Sequence, residues 1–282
     1  MDIKIAEHSG FCFGVKNAVT SVHKLISDGK YGKIVTLGPI IHNEQVVKEL
    51  EELGVCSIDS IDDADPGTTV VIRSHGVPKE IFEKLEKKGI SYIDSTCPFV
   101  SKIHKTVEEA SEAGNEIVIL GQADHPEVIG ILGWSKTGGT VIETPDEAEA
   151  FVPENPHKTV CVVAQTTLNY KKFQDYVEIF EKKEYDINVV DTICHATLHR
   201  QEEAAALSEE SDAMIVIGSQ MSSNSRKLYD ICKERCENTF FIQNADSVGD
   251  IDLSGAASLG ITAGASTPNT LIQEVFKACQ KK

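Results

Sequence analysis

The sequence has no long apolar run, no basic leader and no excess of positive charge. Its 282 residues include 27 Lys and Arg against 44 Asp and Glu, a formal net charge of −17. A surface with this charge repels nucleic acid and anionic membranes, so binding to either is not expected. Residues 1–5 show neither a basic n-region nor an apolar h-region, and apolar runs such as 116–120 are far too short to span a bilayer. We therefore expect a cytoplasmic protein.

The cysteines also lack the close spacings that mark two common kinds of metal site. Eight cysteines are present, but no CxxC pair and no CxxxCxxC run occurs, so neither a zinc ribbon nor a radical-SAM cluster site is indicated. In a reducing compartment disulfides are rare, and metal binding or catalysis becomes the usual reason for a high cysteine count. Any metal site must therefore be assembled from cysteines that are distant in the chain.

The chain repeats one structural unit three times. A strand-like segment precedes each of Cys12, Cys97 and Cys194, and each cysteine is followed by a helix-like stretch and then by a β-rich run that ends in glycine. The distances from cysteine to glycine are 26, 24 and 24 residues. The three glycines are Gly38, Gly121 and Gly218.

Strands that alternate with helices at this spacing predict parallel βα units. We predict an α/β protein with three small parallel-sheet α/β domains in pseudo-threefold arrangement around a central site. Lobe 1 is expected at 13–96, lobe 2 at 97–193, and lobe 3 at 194–282, completed by the N-terminal segment 1–12. Functional loops of such sheets emerge at the carboxyl ends of the strands, where all three cysteines lie, so we expect the cysteines to converge.

Three cysteines without a fourth equivalent residue leave one coordination position open. Thiolates select zinc or iron–sulfur clusters, and catalytic zinc usually takes His and carboxylate ligands. A [4Fe–4S] cluster on three cysteines leaves one iron free to bind a substrate oxygen and can also deliver electrons. We therefore expect one cluster per chain on Cys12, Cys97 and Cys194, with burial as small hydrophobic residues as the alternative. That structural role is what we expect for the other five, Cys56, Cys161, Cys232, Cys236 and Cys279. For Cys232 and Cys236, which share a helix face at i, i+4, a metal pair is the alternative.

Polar residues stand at the predicted strand ends, just before helices. They are His42, His75, His125, Thr166, Thr167, Ser222, Ser223, Asn224 and Ser266. A helix N-terminus offers unsatisfied N–H groups and a partial positive charge that stabilises an anion by ~0.3–1 kcal/mol. Helix capping explains any single Ser, but the set together predicts a phosphate or diphosphate site. Glu127, next to His125, is a candidate proton donor, with a solvated surface glutamate as the alternative.

Nine segments in order carry a resemblance to a known family: 10–15 (GFCFGV), 38–43 (GPIIHN), 73–77 (RSHGV), 94–98 (DSTCP), 121–128 (GQADHPEV), 164–168 (AQTTL), 191–194 (DTIC), 222–225 (SSNS) and 262–266 (TAGAS). With these segments the sequence resembles the 4-hydroxy-3-methylbut-2-enyl diphosphate reductase family over essentially the whole chain. The resemblance implies a three-lobed α/β fold and reductive dehydroxylation of (E)-4-hydroxy-3-methylbut-2-enyl diphosphate to isopentenyl diphosphate and dimethylallyl diphosphate. It further implies two electrons delivered through a [4Fe–4S] cluster whose open iron binds the substrate oxygen, and a ferredoxin or flavodoxin as donor.

Residue roles carry over from this resemblance position by position. It implies that the cluster ligands are Cys12, Cys97 and Cys194. The implied substrate-binding residues are His42, His75, His125, Thr166, Ser222, Ser223, Asn224 and Ser266. Glu127 is implied as the proton source, assisted by His125 and Thr166. Asn17 stands where the family leads us to expect Arg, and His195 and His199 follow the third cysteine at positions where the family varies, so neither histidine is given a role.

Two other functions fit parts of the pattern. A cluster on three cysteines could report oxygen or iron to a partner protein without catalysis, which would leave the polar loops unexplained. A zinc hydrolase of diphosphates could use Glu127 as its base, and it would be colourless and contain zinc.

Overall fold

The structure is a computed structural model that describes Met1–Lys282. It contains twelve strands and ten α-helices, with two short 3₁₀ helices at Ile61–Asp63 and Ala245–Asp250. The strands are β1 (Asp2–Ile5), β2 (Ile34–Leu37), β3 (Cys56–Ile58), β4 (Thr69–Ile72), β5 (Ser91–Asp94), β6 (Glu116–Leu120), β7 (Thr140–Ile142), β8 (Val160–Ala164), β9 (Ile187–Val189), β10 (Ala213–Ile217), β11 (Thr239–Ile242) and β12 (Ser258–Ala263). The helices are α1 (Phe13–Asp28), α2 (Glu44–Glu52), α3 (Lys79–Lys88), α4 (Pro98–Glu112), α5 (Pro126–Leu132), α6 (Pro145–Ala150), α7 (Tyr170–Glu181), α8 (His195–Glu209), α9 (Ser223–Lys233) and α10 (Asn269–Gln280).

The strands form three separate four-stranded sheets, and every strand pair in them is parallel. Their orders are β3-β2-β4-β5, β7-β6-β8-β9 and β1-β12-β10-β11. In the last sheet β1 pairs with β12, with Asp2 opposite Ser258, so the first and last strands of the chain are neighbours. The predicted α/β class with three parallel sheets is confirmed. The lobe boundaries and the threefold arrangement stay predictions.

The sequence of each strand matches its place in its sheet. The central strands β2, β4, β6, β8, β10 and β12 are runs of branched apolar residues in which nearly every side chain is buried. Continuous apolar runs of this kind are typical of parallel strands that are covered by helices on both faces. The edge strand β1, with the sequence DIKI, alternates exposed and half-buried residues instead.

The chain divides into two compact units. The first unit comprises Met1–Lys16, His42–Val46 and His195–Lys282. It contains the β1-β12-β10-β11 sheet, and its core includes Ile215, Ile261 and Ile272. The second unit comprises Asn17–Ile41 and Val47–Cys194 and contains the other two sheets.

Four of the five remaining cysteines lie in these cores. Cys161, Cys232, Cys236 and Cys279 are buried, as expected. Burial raises the pKa of the Cys161 and Cys279 thiols, and it raises that of Cys232 to about 11. Cys56 differs, because it is exposed on β3, and the expected core role does not apply to it.

No helix in the structure is both long enough and apolar enough to cross a bilayer.

Candidate active site

The three repeat-related cysteines have the same local geometry. Each directly precedes a helix (α1, α4 or α8), and each is half-buried. In each case the strand before the cysteine pairs with a neighbouring strand of the same sheet. The cysteine N–H donates to the carbonyl of the second residue after that neighbouring strand. The bonds are Cys12 N to Ala265 O at 3.2 Å, Cys97 N to Ser74 O at 3.0 Å, and Cys194 N to Thr166 O at 3.2 Å. The sequence repeat is therefore also a repeat of backbone hydrogen bonds, with Cys12 in the first unit and Cys97 and Cys194 in the second.

Five of the predicted substrate-binding residues lie in the first unit. The Ser266 hydroxyl donates to the His42 carbonyl at 2.9 Å, which ties these two loops together. Ser222 is the N-cap of α9, and its side chain accepts from the Ser225 N–H at 3.3 Å. Ser223 and Asn224 follow in the first turn of α9, and both are buried. The first unit thus gathers hydroxyls, an amide and an imidazole at the start of one helix and in the two loops tied together by Ser266.

Close packing of α9 on its sheet depends on two glycines. A Cβ at Gly218 would lie 2.6 Å from the Cβ of Ser225, and a Cβ at Gly264 would overlap the Ser225 hydroxyl. Because both positions are glycine, the fully buried Ser225 fits between the ends of β10 and β12. This packing also buries Asn224, whose Nδ2 and Oδ1 have no hydrogen-bond partner within the protein. An unpaired buried amide costs about 1–3 kcal/mol, so these two atoms point to a polar ligand.

Glu127 and Thr166 form a hydrogen-bonded pair in the second unit. The Thr166 N–H donates to Glu127 Oε1 at 2.6 Å, and the Thr166 hydroxyl lies 2.8 Å from Oε2. Both side chains are buried, with Glu127 only 2% exposed. Glu127 is therefore not a solvated surface residue, which removes the alternative considered from the sequence.

His125 and His75 lie beside this pair. His125 is the N-cap of α5, and its Nδ1 accepts from the Glu127 N–H at 3.1 Å. Since Nδ1 accepts, the neutral ring carries its proton on Nε2, which is then a hydrogen-bond donor. The His75 ring meets the His125 ring edge to face at 5.6 Å. The second unit therefore brings together His75, His125, Glu127 and Thr166, all of which the sequence predicted.

Thr167 and His199, two further residues considered in the sequence, also have partners in the structure. Thr167 was grouped with the polar loops, and the structure shows its hydroxyl accepting from Gln165 Nε2 at 2.9 Å. His199, which was given no role, stacks on His8 at 5.6 Å. Neither observation places these residues in the clusters described above.

Two buried guanidinium groups were missed. On α8, Arg200 donates from Nη2 to the Gly10 carbonyl at 2.7 Å, two residues before Cys12. Arg73, at the end of β4, packs its Cζ 3.1 Å from the place where a Cβ of Gly38 would stand, and burial lowers its pKa. Arg200 could not have been found from local sequence, because its partner is 190 residues away. Arg73 could have been found from the sequence, because it directly precedes Ser74 and His75.

A family model and several known proteins are similar to this chain over almost its full length. A family model described as LytB protein matches residues 3–280. A 4-hydroxy-3-methylbut-2-enyl diphosphate reductase of Caldanaerobacter subterraneus subsp. tengcongensis is 45% identical over 280 residues, covering 98% of this chain and 96% of the relative. One of Aquifex aeolicus is 43% identical over 285 residues, covering 100% of this chain and 96% of the relative.

Two solved structures agree with these relatives. A structure of (E)-4-hydroxy-3-methyl-but-2-enyl diphosphate reductase, described as the terminal enzyme of the non-mevalonate pathway, is 42% identical with a TM-score of 0.71 and covers 100% of this chain and 99% of its own. The E-1-hydroxy-2-methyl-but-2-enyl-4-diphosphate reductase from Plasmodium falciparum is 28% identical with a TM-score of 0.91, covering 98% of this chain and 87% of its own. The similarity therefore extends over the full length of both sequence and fold.

Proposed function

We propose, since this chain belongs to the LytB family of 4-hydroxy-3-methylbut-2-enyl diphosphate reductases, that it removes the hydroxyl group of (E)-4-hydroxy-3-methylbut-2-enyl diphosphate. Two electrons and two protons are consumed, the C–O bond breaks, and the oxygen leaves as water. The products are isopentenyl diphosphate and dimethylallyl diphosphate, and the enzyme is an oxidoreductase.

The observation that carries this proposal is the equivalence of Cys12, Cys97 and Cys194. Three half-buried thiols with matching backbone hydrogen bonds suit an iron–sulfur cluster better than a catalytic zinc, because catalytic zinc usually takes His and carboxylate ligands and no histidine occupies an equivalent place. We assign these three residues as the ligands of one [4Fe–4S] cluster per chain. When bound, the cluster supplies the electrons and one iron without a cysteine ligand as a Lewis acid.

Residues of the first unit are proposed to hold the diphosphate. The chain carries a net charge of −17, so an anion has to be held by local donors rather than by the overall field. The unpaired amide of Asn224 and the first turn of α9 supply such donors, and His42, Ser222, Ser223 and Ser266 are proposed to complete the site. His75, His125 and Thr166 of the second unit are proposed to contact the substrate as well.

The atoms of Glu127 and Thr166 define where a proton can reside. Oε1 faces a backbone N–H, which can only donate, so Oε1 must accept. Oε2 faces a hydroxyl, which can donate or accept, so Oε2 can carry a proton without losing its hydrogen bond. We assign the donated proton to Glu127 Oε2 and its relay to Thr166 Oγ1. The Nε2–H of His125 is the neighbouring donor that can orient the substrate oxygen.

The reaction also needs a source of two electrons. An obligatory two-electron reduction requires a protein or small-molecule reductant, and we propose a ferredoxin or a flavodoxin in that role. A cytoplasmic location, where such donors are found, is proposed with it.

Anaerobically purified protein provides the direct test of this function. Substrate-dependent oxidation of reduced methyl viologen, with about four irons per chain as a [4Fe–4S] cluster requires, is the expected result. A cluster-loaded protein that oxidises nothing on addition of the diphosphate would favour the non-catalytic sensor. A colourless zinc protein that hydrolyses the diphosphate would favour the hydrolase.

A further inference from the structure

The turn after β4, residues 73–78, packs closely against α5 within the second unit. This turn carries His75, and α5 begins next to His125. A Cβ at Gly130 of α5 would lie 3.6 Å from both the His75 carbonyl oxygen and the Gly76 carbonyl carbon. A Cβ at Gly133 would lie 2.7 Å from the Cα of Pro78. The turn therefore packs directly on α5 at Gly130, where only a methyl group would fit, and on its C-cap Gly133, where no side chain would fit.

His104, from α4, lies where the turn and α5 meet. Its Cε1 is 2.5 Å from the place where a Cβ of Gly76 would stand, and its Nε2 is 3.5 Å from that of Gly130. Only 4% of the residue is exposed. The imidazole thus fills the space between the two glycines, and any movement of the turn toward α5 has to displace it.

Trp134 packs against His104 and also forms a hydrogen bond with the turn. Its ring stacks on His104 at 5.1 Å with an interplanar angle of 15°, and its Nε1–H donates to the Val77 carbonyl at 3.0 Å. His104 is therefore held by a ring that is itself hydrogen-bonded to the turn. Burial lowers the pKa of His104 to about 4, so the ring is neutral near pH 7 and cannot act as a counter-ion for the substrate.

We propose that His104 is a positioning residue that holds the His75 turn at a fixed separation from the helix bearing His125 and Glu127. This inference rests on the proposed function, because it gives the His75–His125 arrangement a role in holding the substrate. His104 touches no reacting group. His104 acts by fixing the edge-to-face contact of the His75 and His125 rings, whose centroids are 5.6 Å apart.

Truncation of His104 to alanine tests the proposal. Removal of the spacer allows the turn to shift, and a misplacement of about 1 Å in a binding group can cost about a hundredfold in catalysis. The expected result is a tenfold or larger rise in KM with a smaller change in kcat. The matched control is Ile103→Ala on the same helix, which opens a cavity in the neighbouring core without touching the turn. It should lower thermal stability and leave KM unchanged.

Glycine substitutions provide a second pair in case His104→Ala folds poorly. Gly76 and Gly89 have φ values of +72° and +64°, so alanine strains the backbone equally at both. A new Cβ at Gly76 would meet His104 Cε1 at 2.5 Å and Thr96 Cγ2 at 3.1 Å, whereas nothing lies within 4 Å of it at Gly89. Gly76→Ala should raise KM and Gly89→Ala should not. Equal KM values in these two variants would overturn the proposal.

A crystal structure of the His104→Ala variant separates the proposal from the function on which it rests. A changed His75–His125 ring separation supports the positioning role even if the wild-type protein shows no turnover, in which case the proposed function alone fails. An unchanged separation, together with an unchanged KM, would show that His104 is only a core residue.

Discussion

Replacement of Glu127 by glutamine removes a proton donor while keeping the shape of the side chain. The amide oxygen can accept from the Thr166 N–H, now 2.6 Å from Oε1, and the amide NH₂ can donate to the Thr166 hydroxyl, now 2.8 Å from Oε2. Both hydrogen bonds therefore survive in neutral form. The protonated carboxyl proposed as the proton donor is neutral as well, so the cost of burying the side chain changes little. We expect the melting temperature to change little.

The effect on turnover should be much larger than the effect on stability. A positioned general acid contributes about 10²- to 10⁴-fold, or roughly 3–5 kcal/mol of activation free energy. The Glu127→Gln variant should therefore lose that factor in kcat with little change in KM. Thr166→Val, which removes only the relaying hydroxyl, should lower kcat by about tenfold or more, whereas Thr166→Ser should retain most of the activity.

A double variant that combines Glu127→Gln with Thr166→Val tests whether the two residues share one proton path. If Thr166 relays the proton of Glu127, then Thr166→Val should add almost nothing to the loss caused by Glu127→Gln, because both changes interrupt the same path. Single-turnover rates on cluster-loaded protein, with iron content measured for each variant, provide the assay. Near wild-type turnover in Glu127→Gln would remove Glu127 from the mechanism, and fully additive losses would refute the shared path.

Three further predictions concern other parts of the chain. Cys97→Ser should lose iron and colour, whereas Cys161→Ser, in the core, should keep the iron content of the wild type, as measured by an iron and sulfide assay. Because the pKa of His104 falls from 6.5 unfolded to about 4 folded, its stabilising contribution is complete above pH 6.5 and is lost as the pH falls toward 4. Denaturant titrations at pH 7 and 4 should therefore show His104→Gln losing about 3 kcal/mol less unfolding free energy than the wild type. Asn224→Asp places a carboxylate where the diphosphate is proposed to bind, so KM should rise by more than tenfold, and an unchanged KM would exclude Asn224 from the site.

Much of the fold followed from local patterns. The position of each cysteine after a strand and before a helix predicted the βα repeat, and the three parallel sheets confirm it. The apolar runs at β6 and β8 predicted strands, and in the structure both are buried central strands of one sheet. Patterns of this kind are readable because strand burial and helix starts depend on neighbouring residues.

The clusters of polar residues were only partly predictable. Glu127 could be singled out next to His125, but its burial and its contacts with Thr166 depend on residues 39 positions away. His104 reads as an ordinary helical residue, since its place between Gly76 and Gly130 is created by the packing of three separate segments. Sequence reasoning therefore found the chemical groups at strand ends and missed the buried residues that hold those ends in place.

The electron balance of the reaction tests the central claim most directly. Anaerobic protein with measured iron and sulfide would be given reduced methyl viologen and (E)-4-hydroxy-3-methylbut-2-enyl diphosphate, and both diphosphate products would be quantified. The account predicts two electrons consumed for each product molecule, with the sum of isopentenyl and dimethylallyl diphosphate equal to the substrate lost. Product formation by protein that contains no iron, or dye oxidation without product, would contradict it.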